Sequence, residues 1–314
     1  MRGVRAAPWR RGRVAGGCAL VTAAALAGHR RVPDLGVRLG SLWESALPWG
    51  GVVALVVGVV AAVRRAPAAA CAAGVLAVVW AVLFGPVLLA GSGGGSGGGS
   101  GGGNLVVVTH NVSAENRDPA GTARALLAAR PDLVALEEVT AAALPAYQGV
   151  LDGALAYHVE IGTVALWSRY PIADSRRLTI DPGWSRSLRA EVRAPGGPVA
   201  VYVAHLASVR LTFSGFAAGH RDRNIAALAA ALDEEPLGRV LLLGDLNAAA
   251  DDRALGPLTA RLRPVGAGFG FSWPAAFPLA RIDHILTRGL PAAASWTLPA
   301  TGSDHRPVAA RLRS

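Results

Sequence analysis

The chain has 314 residues, 52% of them hydrophobic, with a formal net charge of +10 and a mean hydropathy of +0.38. This hydropathy excludes a disordered chain and indicates a membrane part. Every basic residue other than histidine is Arg, and the two cysteines, Cys18 and Cys71, lie in the first hundred residues. A lysine-containing phosphate loop is therefore excluded, as are a cysteine nucleophile or a cysteine zinc site in the rest of the chain.

Three uncharged apolar runs come first, at residues 14–28, 45–63 and 66–90. At 1.5 Å per residue the second and third are about 28 and 35 Å long, enough to cross a hydrocarbon core of about 30 Å. The first is only about 22 Å long, and it follows a group of arginines, so it is either a spanning helix or a cleaved signal peptide. We expect residues 1–90 to form a membrane domain with about three transmembrane helices.

The distribution of arginines predicts the orientation in the membrane. The N-terminus and the Arg64-Arg65 turn together carry seven arginines, whereas the loop between the first two runs carries three, at Arg30, Arg31 and Arg38. Because positively charged loops stay in the cytoplasm, we expect a multi-pass protein of the cell membrane whose C-terminal domain is extracytoplasmic. A cleaved signal followed by two spans gives the same result.

Residues 91–103 consist of ten Gly and three Ser. Such a run forms no core and acts as a flexible linker with a reach of about 20 Å. Its regular repeat is typical of an inserted linker, a natural tether being the alternative. The linker keeps residues 104–314, the predicted catalytic domain, close to the membrane.

From residue 104 onward, short strands alternate with helices and turns. The predicted strands are 105–112, 132–139, 163–168, 189–193, 199–205, 239–243, 281–287 and 307–312, and the predicted helices are 119–130 and 220–233. This alternation predicts an α/β fold, a layered α/β sandwich. Residues 104–314 contain 21 Arg and 19 acidic residues, a near-neutral balance that argues against a nonspecific nucleic-acid partner.

Polar side chains follow several of these strands. The segments are Thr109-His110-Asn111, Glu137-Glu138, His205, Gly244-Asp245-Leu246-Asn247, Asp283 and Ser303-Asp304-His305. Strand ends in a layered fold meet at one edge, so we expect carboxylates, amides and imidazoles to converge there. Oxygen ligands without thiolates favour Mg²⁺ or Mn²⁺, and a hard cation beside imidazoles suits phosphoester hydrolysis.

These motifs, with Leu-Glu-Glu-Val, Ser-Arg-Tyr-Pro and Arg-Ile-Asp-His between them, resemble in their order the endonuclease/exonuclease/phosphatase superfamily. The resemblance covers residues 104–314 and implies a four-layered α/β sandwich of the DNase I-like type. Membrane spans before such a domain resemble the teicoplanin-resistance membrane phosphatases of the VanJ type. That resemblance implies a polyprenyl phosphate or pyrophosphate substrate and a link to cell-wall synthesis or glycopeptide resistance.

The resemblance also implies residue roles. Asn111 and Glu138 would hold the metal, and Asp304 would complete the metal or nucleophile side. Asp245 would orient or deprotonate the attacking water, and Asn247 would donate to a phosphoryl oxygen.

Two histidines complete the implied machinery. His205 and His305 would stabilise the charge of the transition state or protonate the leaving oxygen, and Asp283 would fix the tautomer of His305. The partner of His205 stays open, with Glu160 as one candidate.

For other residues the sequence leaves two interpretations open. Arg221 and Asn224 either face the phosphate or lie on an exposed helix face. Two aromatic groups either contact lipid or form a core under a loop: Phe213 with Phe216, and Phe269, Phe271, Trp273 and Phe277.

We therefore expect a membrane-anchored, metal-dependent phosphohydrolase that acts on a lipid-linked phosphate. The alternatives are a nuclease or sphingomyelinase-like phosphodiesterase and, in another class, a non-catalytic membrane receptor on the same fold.

Overall fold

The computed structural model describes residues 12–34, 38–92, 104–212, 215–266 and 268–314. The linker residues 93–103, the arginines before residue 12 and Phe213 lie outside this part of the chain.

Four helices precede the linker. They are α1 (Arg13–Ala27), α2 (Leu39–Ala46), α3 (Gly50–Val63) and α4 (Pro67–Ser92). Two stretches, Leu39–Val63 and Pro67–Leu89, are long and apolar enough to span a membrane, while α1 is shorter. Only 28% and 22% of the two stretches is buried, which differs from the mostly buried core helix of a soluble protein.

Small residues bring the N-terminal helices into contact. Gly16 of α1 lies against the backbone of Ala69 in α4, and a Cβ on Gly16 would be 3.3 Å from that Cα. α3 and α4 join through the Arg64-Arg65 turn, and Gly12, at the start of α1, lies beside Ala66 at the same end of the bundle. The arginine-bearing turn and the start of α1 therefore share one end of the helical bundle.

The second part of the chain contains fourteen strands and four helices. In chain order they are β1 (Asn104–Asn111), α5 (Pro119–Leu127), β2 (Leu133–Glu137), α6 (Leu144–Leu151), β3 (Tyr157–Ile161), β4 (Val164–Ser168), β5 (Ile172–Arg177), β6 (Ser187–Ala194), β7 (Gly197–Ala204), β8 (Leu211–Thr212), β9 (Gly215–Phe216), α7 (Gly219–Asp233), β10 (Val240–Asp245), α8 (Gly256–Thr259), β11 (Arg263–Val265), β12 (Asp283–Arg288), β13 (Ala292–Thr297) and β14 (Val308–Arg313).

Two six-stranded mixed sheets stack face to face, with strand orders β13-β14-β1-β2-β4-β3 and β11-β12-β10-β7-β6-β5. Their inner faces share one apolar core, which includes Val107, Leu166, Val201 and Leu243. α5 and α6 cover the outer face of the first sheet, and α7 covers the second. This four-layered DNase I-like sandwich confirms the predicted fold class.

Some elements were not predicted. Helix α6 and the edge strands β3, β5, β11 and β13 are absent from the predicted elements. Strand β5 has mostly exposed side chains, so it lacks the alternating or continuous apolar pattern by which a strand is recognised. The hairpin of β6 and β7 closes through a turn at Gly196 and Gly197, and both have positive φ angles, 80° and 118°, which glycine adopts without strain.

The helical bundle is docked on the sandwich through a set of buried polar residues. This anchor cluster comprises Ser41 and Glu44 of α2 with Arg221, Asp252 and Arg253 of the sandwich. Arg253 Nε and Nη2 donate to the two oxygens of Glu44 at 2.9 and 3.0 Å, and Ser41 Oγ donates to Asp252 Oδ2 at 2.6 Å. Nothing in the hydropathy pattern indicated this interface.

Apolar and backbone contacts extend the interface at the end of the bundle away from the Arg64-Arg65 turn. Trp49 Nε1 donates to the carbonyl of Leu279 at 3.1 Å, and the amide of Gly268 donates to the carbonyl of Val87 at 3.2 Å. The sandwich therefore lies at the opposite end of α3 and α4 from the arginine turn.

Candidate active site

The strand ends place the predicted polar residues at one edge of the sandwich. β1 runs parallel to β2, and β10 runs parallel to β7, so their carboxyl ends open toward the same side. Gly244 in β10 has a φ of 143°, and a Cβ there would collide with the carbonyl of Ala204 in β7. Glycine at this position allows β10 to approach β7 closely just before Asp245.

Asn111, Glu138 and Asp245 meet at the centre of this edge. Asn111 Nδ2 lies 3.2 Å from Glu138 Oε1 and 3.1 Å from Asp245 Oδ2, donating to both. Two carboxylates from different sheets therefore share one amide. Glu138 also accepts from the amide of Ala114 at 3.0 Å.

His205 lies on the other side of the same carboxylates. Its Nε2 is 3.8 Å from Glu138 Oε1 and 3.8 Å from Asp245 Oδ2. Its Nδ1 is buried with no hydrogen-bond partner among the described residues. Glu160 is exposed on the edge strand β3, and the structure shows no contact between it and His205. Burial, together with the charge of Arg186, lowers the pKa of His205 to about 4.

His305 is held by Asp283, as the resemblance implied. Its Nδ1 is 2.9 Å from Asp283 Oδ2, and its Nε2 is 3.9 Å from Asp245 Oδ2. Burial favours the neutral ring, but the charge of Asp283 and this hydrogen bond outweigh it and raise the pKa of His305 to about 10. His305 is thus a cation that points at Asp245.

Asp245 lies where these groups converge. Burial and the negative charge of Asp283 raise its pKa to about 7. Its Oδ1 accepts from the amide of Asn247 at 2.9 Å, which leaves Oδ2 facing Asn111, His205 and His305. A carboxyl with a pKa near neutral is suited to exchange a proton with water at physiological pH.

Glu137 lies beneath the site rather than in it. It is fully buried and accepts from Thr109 Oγ1 at 3.0 Å. Burial and the charge of Asp283 raise its pKa well above the ordinary value. Its second oxygen, Oε2, has no partner among the described residues.

Two site residues have left-handed backbone conformations. Glu138 has a φ of 61° and Asn247 a φ of 47°, a region that residues other than glycine rarely adopt and that costs about 1–3 kcal/mol. Glu138 is the first residue after β2 and Asn247 the second after β10, and both side chains line the site. Asn247 Nδ2 donates to the carbonyl of Leu206 at 2.9 Å, which fixes its amide at the rim.

A cavity of about 340 Å³ opens over these groups. Asp304 is exposed on its wall, next to His305, whose pKa its charge helps to raise. The wall also includes Ser45 from α2, Phe216 and Trp273, so the helical bundle contributes to the mouth of the site.

Arg221 and Asn224 lie next to the site, and their side chains form hydrogen bonds within the protein. Arg221 donates to Asp222, Asp252, Ser41 and the carbonyl of Asn247 at 2.7–3.2 Å. All five of its N–H groups are thereby used. Asn224 accepts from the amide of Ala207 and donates to the carbonyl of Ile180. Both residues are buried, which contradicts the alternative of an exposed helix face. Arg221 lines the active-site cavity, and both residues hold loops of the site in place, while a contact with the phosphate stays a prediction.

Arg186 is a site residue that the sequence patterns missed. Its guanidinium lies 3.5 Å from the ring centroid of Trp184, and its charge acts on Glu138, Asp245 and His205. No motif marks it, and the only available signal was an arginine two residues after a tryptophan in a loop.

The residues present fit a divalent cation. Glu138 Oε1 and Asp245 Oδ2 converge on one amide nitrogen, Nδ2 of Asn111, so a cation placed between the two carboxylates would neutralise both. Asp245, Asp283 and His305 also place ligand atoms within 4.8 Å of one another. We favour the first set, because Glu138 and Asp245 both line the active-site cavity whereas Asp283 is not among the residues that line it.

The comparisons agree with this geometry. The profile of the Endonuclease/Exonuclease/phosphatase family matches residues 108–305, well over half of the chain. No curated protein matches the chain in sequence.

Solved structures share the fold of the sandwich. A D. rerio TDP2 complexed with single-strand DNA product is 19% identical with a TM-score of 0.57, covering 67% of this chain and 99% of that one. Sphingomyelinase C from Streptomyces griseocarneus is 21% identical with a TM-score of 0.52 and the same coverage. A beta toxin mutant from Staphylococcus aureus with bound magnesium ions is 16% identical with a TM-score of 0.54, covering 66% of this chain and 99% of that one.

Proposed function

The chain belongs to the endonuclease/exonuclease/phosphatase family, whose members hydrolyse phosphoester bonds, and from this premise we propose that it is a membrane-anchored, metal-dependent phosphohydrolase of a lipid-linked phosphate. One observation carries the proposal. Asp245 Oδ2 lies within 3.9 Å of polar atoms of Asn111, His205 and His305, which come from three separate segments of the chain.

The side chains divide the chemistry among themselves. A divalent ion held by Glu138 and Asn111, with Asp304 as a further predicted ligand, would polarise a phosphoryl oxygen. Asp245, with a pKa of about 7, orients the attacking water and accepts its proton.

His305 and Asn247 act on the negative charge of the phosphoryl group. The protonated His305, held by Asp283 at 2.9 Å, places a positive charge toward the phosphoryl group and can protonate the leaving oxygen. Asn247 retains a second amide N–H beyond the one bound to Leu206, and this N–H is available to a phosphoryl oxygen.

The lipid-linked substrate is proposed from the surroundings of the site. Ser45 on the cavity wall belongs to α2, which leads directly into the apolar helix α3. Trp273 and Phe277 are 41% and 70% exposed, as expected for aromatic side chains at a membrane interface. The resemblance to VanJ-type phosphatases favours a polyprenyl phosphate or pyrophosphate.

The proposed location is the outer face of the cell membrane. The arginine-bearing turn lies at the opposite end of the bundle from the sandwich, and positively charged loops favour the cytoplasm. The packing of α1 on α4 supports a retained third helix. A reporter fused after Ser314 should be active only in the oxidising compartment, and activity in the cytoplasm would contradict the orientation.

The function is tested with the purified full chain in Mg²⁺ or Mn²⁺ and three substrates: polyprenyl pyrophosphate, sphingomyelin and plasmid DNA. We expect phosphate release from the polyprenyl lipid, and no release by Asp245→Ala. The matched control is Asp233→Ala, which removes an exposed carboxylate paired with Arg261 and should retain activity. Unchanged turnover by Asp245→Ala would defeat the assignment.

The same panel separates the alternatives. Structurally similar proteins include a sphingomyelinase and a DNA-bound protein, so a phosphodiesterase is the second candidate. Faster cleavage of sphingomyelin or DNA than of the polyprenyl lipid would favour it. No hydrolysis of any substrate, together with no Mg²⁺ binding in calorimetry, would favour a non-catalytic receptor.

A further inference from the structure

An apolar groove runs between α3 and α4. It has a volume of about 860 Å³. Small residues line both helices at spacings of three or four, which places them on one face of each helix: Ala54, Gly58 and Ala62 in α3, and Ala70, Gly74 and Ala77 in α4.

The glycines leave open space in this α3/α4 groove. A Cβ on Gly74 would meet no described atom within 4 Å, and a Cβ on Gly58 would meet only the Cβ of Ala73, at 4.0 Å. The two helices are therefore in contact along one side and separated along the other. The groove is open enough to admit a narrow apolar chain.

Two phenylalanines line the end of the groove nearest the sandwich. Phe269 stacks on Phe271 with ring centroids 5.2 Å apart, and Phe271 stacks on Trp49 at 5.7 Å. Phe269 also contacts Trp80 of α4, at 6.1 Å. The loop that carries these phenylalanines is part of the sandwich, so the groove has a wall from each region.

An intermediate cavity of about 220 Å³ lies between the groove and the active-site cavity and shares lining residues with both. The intermediate cavity shares Pro48, Phe269 and Phe271 with the groove. It shares Ser45, Ala249 and Ala280 with the cavity that contains Asp245, His205 and His305.

The wall chemistry changes along this route. The active-site cavity is lined by carboxylates and imidazoles, and the intermediate cavity has both apolar residues and the charged pair Arg281 and Asp251. The groove itself is lined almost only by Ala, Gly, Val and aromatic residues. A ligand that fills the whole route has a charged end and a long apolar end.

We propose that the α3/α4 groove binds the hydrocarbon chain of a phosphorylated lipid whose phosphate lies beside Asp245. This inference rests on the proposed function and adds where the lipid chain lies. A peptide helix in the groove would leave the phosphate site unused. The apolar faces of α3 and α4, with Leu55 at 67% and Val78 at 64% exposure, place the open side of the groove in the hydrocarbon region, where a lipid chain can enter.

The test fills the groove without touching the active site. Gly58→Leu and Gly74→Leu each place a branched side chain in the groove. Gly17→Leu in α1 is the matched control, because a Cβ there also meets no described atom within 4 Å and Gly17 does not line the groove. The kcat/KM of the full chain in detergent is measured for a polyprenyl phosphate and for p-nitrophenyl phosphate, which has no apolar chain.

We expect the groove variants to lower the ratio of kcat/KM for the polyprenyl substrate to that for the soluble substrate by about tenfold, since each displaced methylene contact weakens binding severalfold. The Gly17→Leu ratio should stay within about twofold of wild type. If both groove variants keep the wild-type ratio, and Asp245→Ala still abolishes turnover of the soluble substrate, the groove does not bind the lipid chain. The proposed function would then still stand. If the wild type hydrolyses neither substrate, both the groove proposal and the proposed function are overturned.

A second measurement does not depend on the folding of any variant. A polyprenyl phosphate with a photoreactive group on its chain is crosslinked to the wild-type protein, and the labelled peptides are identified by mass spectrometry. Labels concentrated on the groove faces of α3 and α4 support the proposal. Labels spread evenly over α1, α3 and α4 contradict it.

Discussion

The active site and the anchor cluster both bury charged side chains, but they differ in how completely those side chains are satisfied. In the anchor cluster, all five N–H groups of Arg221 have acceptors. Every buried polar side-chain atom of the cluster has a hydrogen-bond partner among the described residues. In the active site, His205 Nδ1 and Asp283 Oδ1 are buried with no partner among the described residues.

This difference separates two uses of buried charge. A saturated cluster fixes the relative position of two regions and has nothing left to bind a ligand. A cluster with spare donors and acceptors, shifted pKa values and strained backbone carries a cost that ligand binding can offset. The two clusters are joined where Arg221 donates to the carbonyl of Asn247 at 3.2 Å, so the saturated cluster also supports the unsaturated one.

The largest effect is expected from breaking the His305–Asp283 pair. His305→Gln and Asp283→Asn should each lower kcat by about 10²–10⁴-fold, because each removes the positive charge directed at the phosphoryl group. The double variant should be little worse than either single variant, since the two residues act as a unit. Additive losses in steady-state kinetics would show that the two residues act independently.

Breaking the anchor cluster is expected to lower the stability of the protein rather than its catalytic activity. Asp252→Ala leaves the buried guanidinium of Arg221 without its main counter-charge and should lower the free energy of unfolding by about 3–5 kcal/mol. The control Asp233→Ala breaks an exposed pair and should cost at most about 1 kcal/mol. Chemical denaturation in detergent measures both; equal losses would remove the distinction between the clusters.

Buried histidines outside the anchor cluster predict acid sensitivity of the sandwich. Burial lowers the pKa of His110 to about 3, and burial with the charge of Arg281 lowers that of His284 to about 4. Below pH 6.5 the unfolded chain takes up protons that the folded chain does not, so stability falls as the pH falls, by about 1.4 kcal/mol per pH unit for each histidine.

The variant His284→Gln checks this pH dependence. It keeps a donor for the carbonyl of Ala248, which accepts from the ring at 2.8 Å, but it does not titrate. The unfolding temperature measured between pH 6.5 and pH 5 should depend less steeply on pH than in the wild type. An unchanged slope would contradict the role of His284.

Replacing Arg186 tests whether the active-site cluster, with its unpaired buried donors and acceptors, includes residues outside the sequence motifs. Arg186→Ala should lower kcat/KM about tenfold, mainly through KM, because a half-buried cation near the carboxylates attracts and holds the anionic substrate. Arg186→Lys keeps the charge and should lose less. A loss that salt does not reduce would point to a structural role for its stacking on Trp184.

The sequence was sufficient for the parts of the fold and site that follow local rules. Asn111 and Asp245 could be predicted to converge because they end β1 and β10, which lie in parallel pairs. Asp283 reaches the same edge as the first residue of β12, which is antiparallel to β10. The strand runs that were found are buried and rich in branched residues, whereas helix α6 and edge strand β5 have weaker patterns and were missed.

Long-range contacts could not be read from the sequence. Arg221 does not lie on an exposed helix face but is buried against Ser41, 180 positions away in the chain. Arg186 belongs to no motif, and only the folded arrangement brings its charge near Glu138. In each case the side chain's role depends on a partner that local patterns do not specify.

The smallest expected effect tests the contact between the two regions most directly. Ser41→Ala removes one hydroxyl that donates to Asp252 at 2.6 Å and accepts from Arg221 at 3.1 Å. Because Arg221 and Asp252 still hold each other at 2.7 Å, the loss in unfolding free energy should be only about 1 kcal/mol. Combined with Asp252→Ala, the loss should be less than the sum by about 0.5 kcal/mol or more, since both variants remove the same hydrogen bond. Strict additivity would mean that α2 and the sandwich are not coupled through this hydroxyl in solution, and the docking of the bundle would then depend on Glu44 and Arg253 alone among the charged contacts of the anchor cluster.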